Sequence, residues 1–301
     1  MSEILVKVGV KGDYGAQSMT APLARVVMRR PGSAMAAADP VSWHYAGPLD
    51  GARLEQQHAA LAAIVARAGA EVIWLDEILD DLADAVFTHD PSLVTAAGAV
   101  LLAMGKPLRR GETAAHGRLY GKLGIPILGR VEAPGAVEGG DCLWLDEETL
   151  IVGRGFRTNQ SGIEQLSAIL APLGVTVLAF DLPVSQGQAA CLHLMSLISP
   201  LDHDLALVHA SLLPVAFYQL LLDRGVTLVE APAEEYRASN TLSINVLALA
   251  PRHGVMLGGL PQTAQALRDA GCRVETFPGD ELCIKTEGGP TCLTRPVLRV
   301  A

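Results

Sequence analysis

The sequence predicts an α/β fold: one strand–strand–helix–strand unit repeated five times about an axis, a pseudo-symmetric five-bladed propeller. Three observations carry that prediction. Five helix-like segments run into a glycine and then a short β-branched strand: Gly69-Ala-Glu-Val-Ile-Trp-Leu, Gly124-Ile-Pro-Ile-Leu, Gly174-Val-Thr-Val-Leu, Gly225-Val-Thr-Leu-Val and Gly271-Cys-Arg-Val-Glu. These glycines recur every 46 to 55 residues, the signature of one supersecondary unit copied around a molecule. Finally, a polar or reactive residue interrupts an apolar stretch 14 to 21 residues after each glycine, at Asp90, Glu138, His193, Asn245 and Cys292. Five equivalent units around an axis direct equivalent positions toward one centre.

The elements follow in order. Leu54, Leu61, Ile64, Val65 and Ala68 form a helical apolar stripe ending at Gly69. The run Leu93–Leu102 holds two apolar stretches around a break and predicts a hairpin, as do Cys142–Val152 and Val246–Leu257. Ser161 and Glu164 have capping-box spacing ahead of Leu166, Ile169 and Leu170, with Gly174 as the stop. Hairpins followed by a helix and a returning strand require parallel and antiparallel pairing within each sheet. A doubly wound nucleotide fold is disfavoured, because no Gly-x-Gly-x-x-Gly joins a strand to a helix and no Gly-x-x-x-x-Gly-Lys-Ser/Thr occurs. A kelch-type propeller has a similar period but no helix in its blades.

At 301 residues, 50% hydrophobic and 18% charged, the chain supports a large core, and without a Pro/Ser/Gly-rich linker we read 1–301 as one domain. A net charge of −9 excludes the concentrated basic surface of a nucleic-acid binder and suits a cationic ligand. There is no apolar run of membrane-spanning length and no basic-then-apolar leader, so neither a membrane nor a secretory route is expected and a cytoplasmic location is the default. Five cysteines without Cys-x-x-Cys spacing argue against a disulfide framework or structural zinc. No His/Cys/carboxylate cluster has ligand spacing, so no metal is expected.

Cys292 stands apart in Gly288-Gly-Pro-Thr-Cys-Leu-Thr, a glycine-rich approach that brings backbone close to a ligand and presents a thiol at a turn. Cys142, Cys191, Cys272 and Cys283 sit in apolar, strand-like sequence and read as small buried hydrophobes. A thiol attacks as thiolate and needs a base, a nearby positive charge or a cationic substrate. His193, in the apolar Cys191-Leu-His-Leu-Met-Ser196, is the candidate base. His44, His58, His116, His203 and His253 read as surface residues. Glu138-Gly-Gly-Asp141 and Phe87-Thr-His-Asp90 place carboxylates where a cation would satisfy them, with a turn or cap role the alternative for Asp141. Arg109 and Arg157 have the fork geometry to clamp a carboxylate. Glycines in Lys11–Ser18 permit a closing loop.

The ordered set Phe-Thr-His-Asp90, Arg109-x-x-Glu112, Glu138-Gly-Gly-Asp141, Arg157-Thr-Asn159, His193-Leu-Met-Ser196 and Gly-Gly-Pro-Thr-Cys292 resembles the dimethylarginine dimethylaminohydrolases, and more broadly the guanidine-modifying superfamily with arginine deiminases and amidinotransferases. The match covers roughly residues 20 to 300. It implies the five-bladed pentein fold, no metal or organic cofactor, a small guanidino substrate and a homodimer. Carried over by position, it makes Cys292 the nucleophile, His193 the general acid/base and Glu138 the catalytic carboxylate. Asp90 and Asp84 would line the guanidinium site, and Arg109 and Arg157 would hold the substrate carboxylate. His89 stands at the substrate site where those enzymes commonly carry an acid. The expected reaction is hydrolysis of an N-substituted guanidine such as dimethylarginine through a covalent thiouronium. Arginine deiminase or amidinotransferase activity is the nearer alternative, and a non-catalytic binding protein of the same fold the remoter one.

Overall fold

A computed structural model describes residues 12–185, 187–188 and 192–300. All five repeat glycines are left-handed, with φ of 99° at Gly69, 70° at Gly124, 76° at Gly174, 73° at Gly225 and 85° at Gly271. An L side chain is strained in that region, so glycine ends each helix and turns the chain back into a strand.

The first blade contains β1 (Leu23–Met28), α1 (Gly51–Arg67) and β2 (Glu71–Trp74). The second is β3 (Ser92–Thr95), β4 (Gly98–Leu101), α2 (Glu112–Lys122) and β5 (Ile127–Arg130). The third is β6 (Cys142–Asp146), β7 (Thr149–Arg154), α3 (Gln160–Leu170) and β8 (Thr176–Asp181). The fourth is β9 (Ile198–Asp202), β10 (Leu205–Val208), α4 (Val215–Asp223) and β11 (Thr227–Glu230). The fifth is β12 (Leu247–Ala250), β13 (His253–Leu257), α5 (Pro261–Asp269) and β14 (Arg273–Phe277). A last strand, β15 (Arg295–Arg299), pairs antiparallel with β1 and completes the first blade.

Every sheet has three strands, the first two antiparallel and the last two parallel. The last strand of each blade is its least buried. All of β3 and most of β6, β9, β12 and β15 are buried, whereas β5, β8 and β11 alternate between half-buried and exposed. The apolar first strands therefore form the inner wall, and β15 packs beside β3 and β9 beside β12. Asp90, Glu138, His193, Asn245 and Cys292 each lie two to five residues before an inner strand. The repeat thus delivers all five to the same end of the inner wall.

Several local expectations are corrected. The α3 cap is Asn159, whose Oδ1 accepts the Gly162 N–H at 2.8 Å. Ser161 falls inside the helix, because the amide cap two residues earlier supplies the orphan N–H groups with an acceptor. His58 and His116 are buried, only 2% and 1% exposed, because they lie on the inner faces of α1 and α2. Cys283 lies in a short helical turn, Asp280–Ile284, whose Glu281 and Leu282 N–H groups donate to Gln57 Oε1. Of the expected closing loop, Lys11 lies outside the described residues. The rest is tied down: Gly15 N–H donates to Val297 O at 2.7 Å, Arg299 N–H to Gly15 O at 2.9 Å and Ala16 N–H to Val94 O at 3.2 Å. Among the described residues no helix is long and apolar enough to cross a membrane.

Candidate active site

Cys292, His193, Asp90, Asp84, Arg109 and Arg157 line one cavity, together with Trp43, Phe87 and Lys106. Glu138 is fully buried directly behind it. Its Oε2 accepts His193 Nε2–H at 2.8 Å, its Oε1 accepts the Lys106 backbone N–H at 3.0 Å, and Arg157 Nη1 reaches both oxygens at 3.2 and 3.3 Å. Burial disfavours the Glu138 charge, but the His193 hydrogen bond and the positive charge around it win and hold the carboxyl down to about 2. The ionised carboxylate fixes the ring and stabilises positive charge on it.

The glycines of Glu138-Gly-Gly-Asp141 follow from this packing. A Cβ on Gly140 would lie 2.4 Å from His193 Nδ1. Asp141 supports the same imidazole from below, taking the Leu194 N–H on Oδ1 at 2.9 Å and the Thr158 hydroxyl on Oδ2 at 2.6 Å. Burial pushes its carboxyl up to about 6. The turn residue read from the sequence is therefore a buried prop for His193.

Asp90 is oriented by two donors, Gly140 N–H at 2.9 Å and Arg109 Nη1 at 2.7 Å. Burial works against its charge, but Arg109 and His193 hold it well below the usual carboxylate range. Asp84 accepts the Tyr45 hydroxyl at 2.7 Å and Lys106 Nζ at 2.6 Å. Lys106, whose Nζ sits 5.0 Å from the Trp43 ring centre, was not singled out from the sequence, where a lone lysine in a loop carries no signal.

Two expected roles change. Arg109 is only 4% exposed and directs Nε and Nη2 at Glu112, Nη2 also at Phe87 O, and Nη1 at Asp90. Four of the five N–H groups of a guanidinium thus serve the cavity wall, so the fork expected to clamp a substrate carboxylate is used inside the protein. His89 does not line this cavity. It faces a second one between the inner strands, with Nδ1–H donating to Thr294 O at 2.9 Å. Both residues sit in the turn that leads into β3, where Asp90 faces the site and His89 is held away from it by Thr294 O.

Cys292 is partly exposed, while Cys142, Cys272 and Cys283 are buried and burial pushes all three thiols up, keeping them protonated. Cys191 lies outside the described residues. Asn245, marked by the repeat but given no chemistry by the sequence, touches the sulfur. Its Oδ1 accepts the Thr291 N–H at 2.9 Å, which turns Nδ2 toward Cys292 Sγ at 3.3 Å. Gly289 leaves room for this amide, since a Cβ there would lie 2.4 Å from Asn245 Cγ.

Comparisons with known proteins identify the family of the chain and its fold. A model of the arginine deiminase family matches residues 75–224. The chain is 32% identical to an N(G),N(G)-dimethylarginine dimethylaminohydrolase of Streptomyces coelicolor over 244 residues, 81% of this chain and 85% of the relative. It is 26% identical to the Pseudomonas aeruginosa protein of that name over 269 residues, covering 89% and 97%. An arginine deiminase of Listeria welshimeri is 28% identical over 262 residues, 73% of this chain but 63% of the longer relative. Among solved structures, the Pseudomonas aeruginosa enzyme complexed with citrulline superposes with a TM-score of 0.74 at 24% identity, covering 91% and 99%. A Microseira wollei amidinotransferase does so at 0.76 and 17%, covering 96% and 98%. At these identities the structures establish the shared pentein propeller.

Proposed function

Because the chain belongs to the family of the dimethylarginine dimethylaminohydrolases, within the guanidine-modifying pentein enzymes, we propose that it hydrolyses an N-substituted guanidine, with dimethylarginine or monomethylarginine the leading substrates. The observation that carries this reading is the single cavity shared by Cys292, His193 and Asp90, with Glu138 behind the imidazole.

A guanidinium is a weak electrophile because its charge is delocalised. Asp90 and Asp84 would accept its N–H groups and fix its plane, and its positive charge would favour the Cys292 thiolate nearby. The thiolate adds to the central carbon, giving a tetrahedral adduct. His193 donates a proton to the alkylated nitrogen as the C–N bond breaks, releasing the amine and leaving a thiouronium on sulfur. His193 then takes a proton from water as the hydroxide adds to that carbon. Breakage of the C–S bond releases a ureido product, citrulline for the methylated arginines, and regenerates the thiol. With Arg109 engaged by Asp90 and Glu112, and Lys106 by Asp84, Arg157 would hold a substrate carboxylate.

The arginine deiminase family match favours a second reading, in which arginine is the substrate and ammonia leaves. Incubation with arginine, monomethylarginine, dimethylarginine and shorter guanidino acids, assayed for ureido product and for the identity of the released amine, separates the two. Adduct mass on Cys292 reports the intermediate, and Cys292→Ser should abolish turnover while changing stability by no more than about 1 to 2 kcal/mol. Turnover by that variant, or consumption of no guanidine at all, refutes the proposal.

A further inference from the structure

The second cavity lies between the inner strands and is lined by His89, Thr291, Arg295 and Arg299 together with apolar side chains such as Leu93 and Trp144. Arg295 and Arg299 are only 5% and 8% exposed. Neither forms an ion pair with a carboxylate among the described residues. Two guanidinium groups carry ten N–H donors. Among the described residues they make three hydrogen bonds, Arg295 Nη2 to His89 O, Arg299 Nη1 to Ala21 O at 2.5 Å and Arg299 Nη2 to Ala248 O at 2.9 Å. Seven buried side-chain polar atoms lack a partner among the described residues, and four belong to this cavity's lining: Arg295 Nε, Arg299 Nε, Thr291 Oγ1 and His89 Nε2.

Two buried positive charges with no directly bonded carboxylate, and with Asp90 acting only at a distance on Arg295, are costly to hold in the fold. They also repel one another, and burial lowers the Arg299 pKa to about 9, with the Arg295 charge adding to the effect. Arginine stays protonated at neutral pH even so, which leaves the cavity cationic. The cavity volume is about 20 Å³, above the roughly 10–15 Å³ that one water-sized occupant needs and suited to a small ion.

We propose that this cavity binds a small monovalent anion of the halide class, held by the Arg295 and Arg299 guanidinium groups with the Thr291 hydroxyl as a further donor. His89 contributes an acceptor instead, since its proton is on Nδ1 toward Thr294 O. Its Nε2 lone pair takes a hydrogen from water or a guanidinium and limits the site to a single ion. The anion is the counter-ion that the inner wall lacks.

The test compares thermal unfolding of the whole protein in sodium chloride, sodium bromide and sodium gluconate at equal ionic strength and pH. A bound ion raises Tm in the two halides by roughly 2 °C or more relative to gluconate. Arg295→Met and Arg299→Lys should remove or reduce that difference. In wild-type crystals grown with bromide, an anomalous peak should lie between the two guanidinium groups, a readout that does not depend on either variant folding. Equal Tm values in all three salts, a halide effect that persists undiminished in both variants, or a cavity holding water alone would each overturn the proposal.

Discussion

Asn245→Asp is the sharpest probe of how the thiol is prepared. The amide touches sulfur through Nδ2 at 3.3 Å and holds the loop through Oδ1, which accepts the Thr291 N–H at 2.9 Å. A hydrogen bond to an ionised group contributes about 1.5–3 kcal/mol. One pKa unit corresponds to about 1.36 kcal/mol, so losing the Nδ2 donor should raise the Cys292 pKa by about one to two units. The aspartate keeps the oxygen that anchors Thr291 and places a carboxylate oxygen beside the thiolate, so the rise should be at least that large while the loop stays in place. Asn245→Leu removes both contacts and strands the Thr291 N–H, costing about 1–3 kcal/mol of stability besides. The assay is the pH dependence of alkylation by iodoacetamide, with Cys292→Ser defining the background from other cysteines. The midpoint matters more than the rate at one pH, because a thiolate of higher pKa is intrinsically more nucleophilic and part of the rate loss is offset. An unchanged midpoint in both variants refutes the reasoning. A shift in the leucine variant alone shows that the loop moved and that the amide did not act on sulfur.

Two further outcomes follow from the packing. Gly140→Ala should cut turnover by at least ten-fold with intact circular dichroism, because its Cβ would lie 2.4 Å from His193 Nδ1 and displace the ring from Glu138; steady-state kinetics beside thermal melts checks it. Stability should fall as pH drops below about 6.5, the ordinary histidine value. Burial depresses His58 to about 4, and His89 and His116 to about 3, so the unfolded chain takes up protons that the native one refuses. The stability is fully present above the unfolded value and is lost from there down toward pH 3. At pH 5 each ring contributes up to about 2 kcal/mol of destabilisation, and urea unfolding midpoints that stay flat between pH 7 and pH 5 would contradict this.

Much of the architecture was legible because its causes are local. A helix that must stop and reverse needs a left-handed residue, and glycine at 69, 124, 174, 225 and 271 supplies it each time. The pairing of β15 with β1 was not legible, because nothing local marks a partner at the far end of the sequence. Within the site, Asp90, Glu138, His193 and Cys292 stood out as reactive groups in apolar sequence. Asn245 stood out by position alone, since an amide reveals a role only once its two ends are seen on Thr291 and Cys292. Arg109-x-x-Glu112 did hold a readable signal, the three-residue spacing that pairs charges within one turn. It pointed to an internal ion pair and against a ligand clamp. The direction of His89 was not readable, because it lies in a turn where no strand alternation fixes which way a side chain faces.

The closing strand bears on when the thiol becomes dangerous. Cys292 lies three residues before β15, so its thiol reaches the cavity in the same step that closes the first blade. During synthesis the acids and the imidazole can assemble from blades two to four while the sulfur is still absent. A chain halted before β15 would have neither a closed inner wall nor a reactive centre. Contacts that span nearly the whole sequence form slowly, and here such a contact also carries Cys292 to the cavity, so only a completed ring holds an aligned thiol.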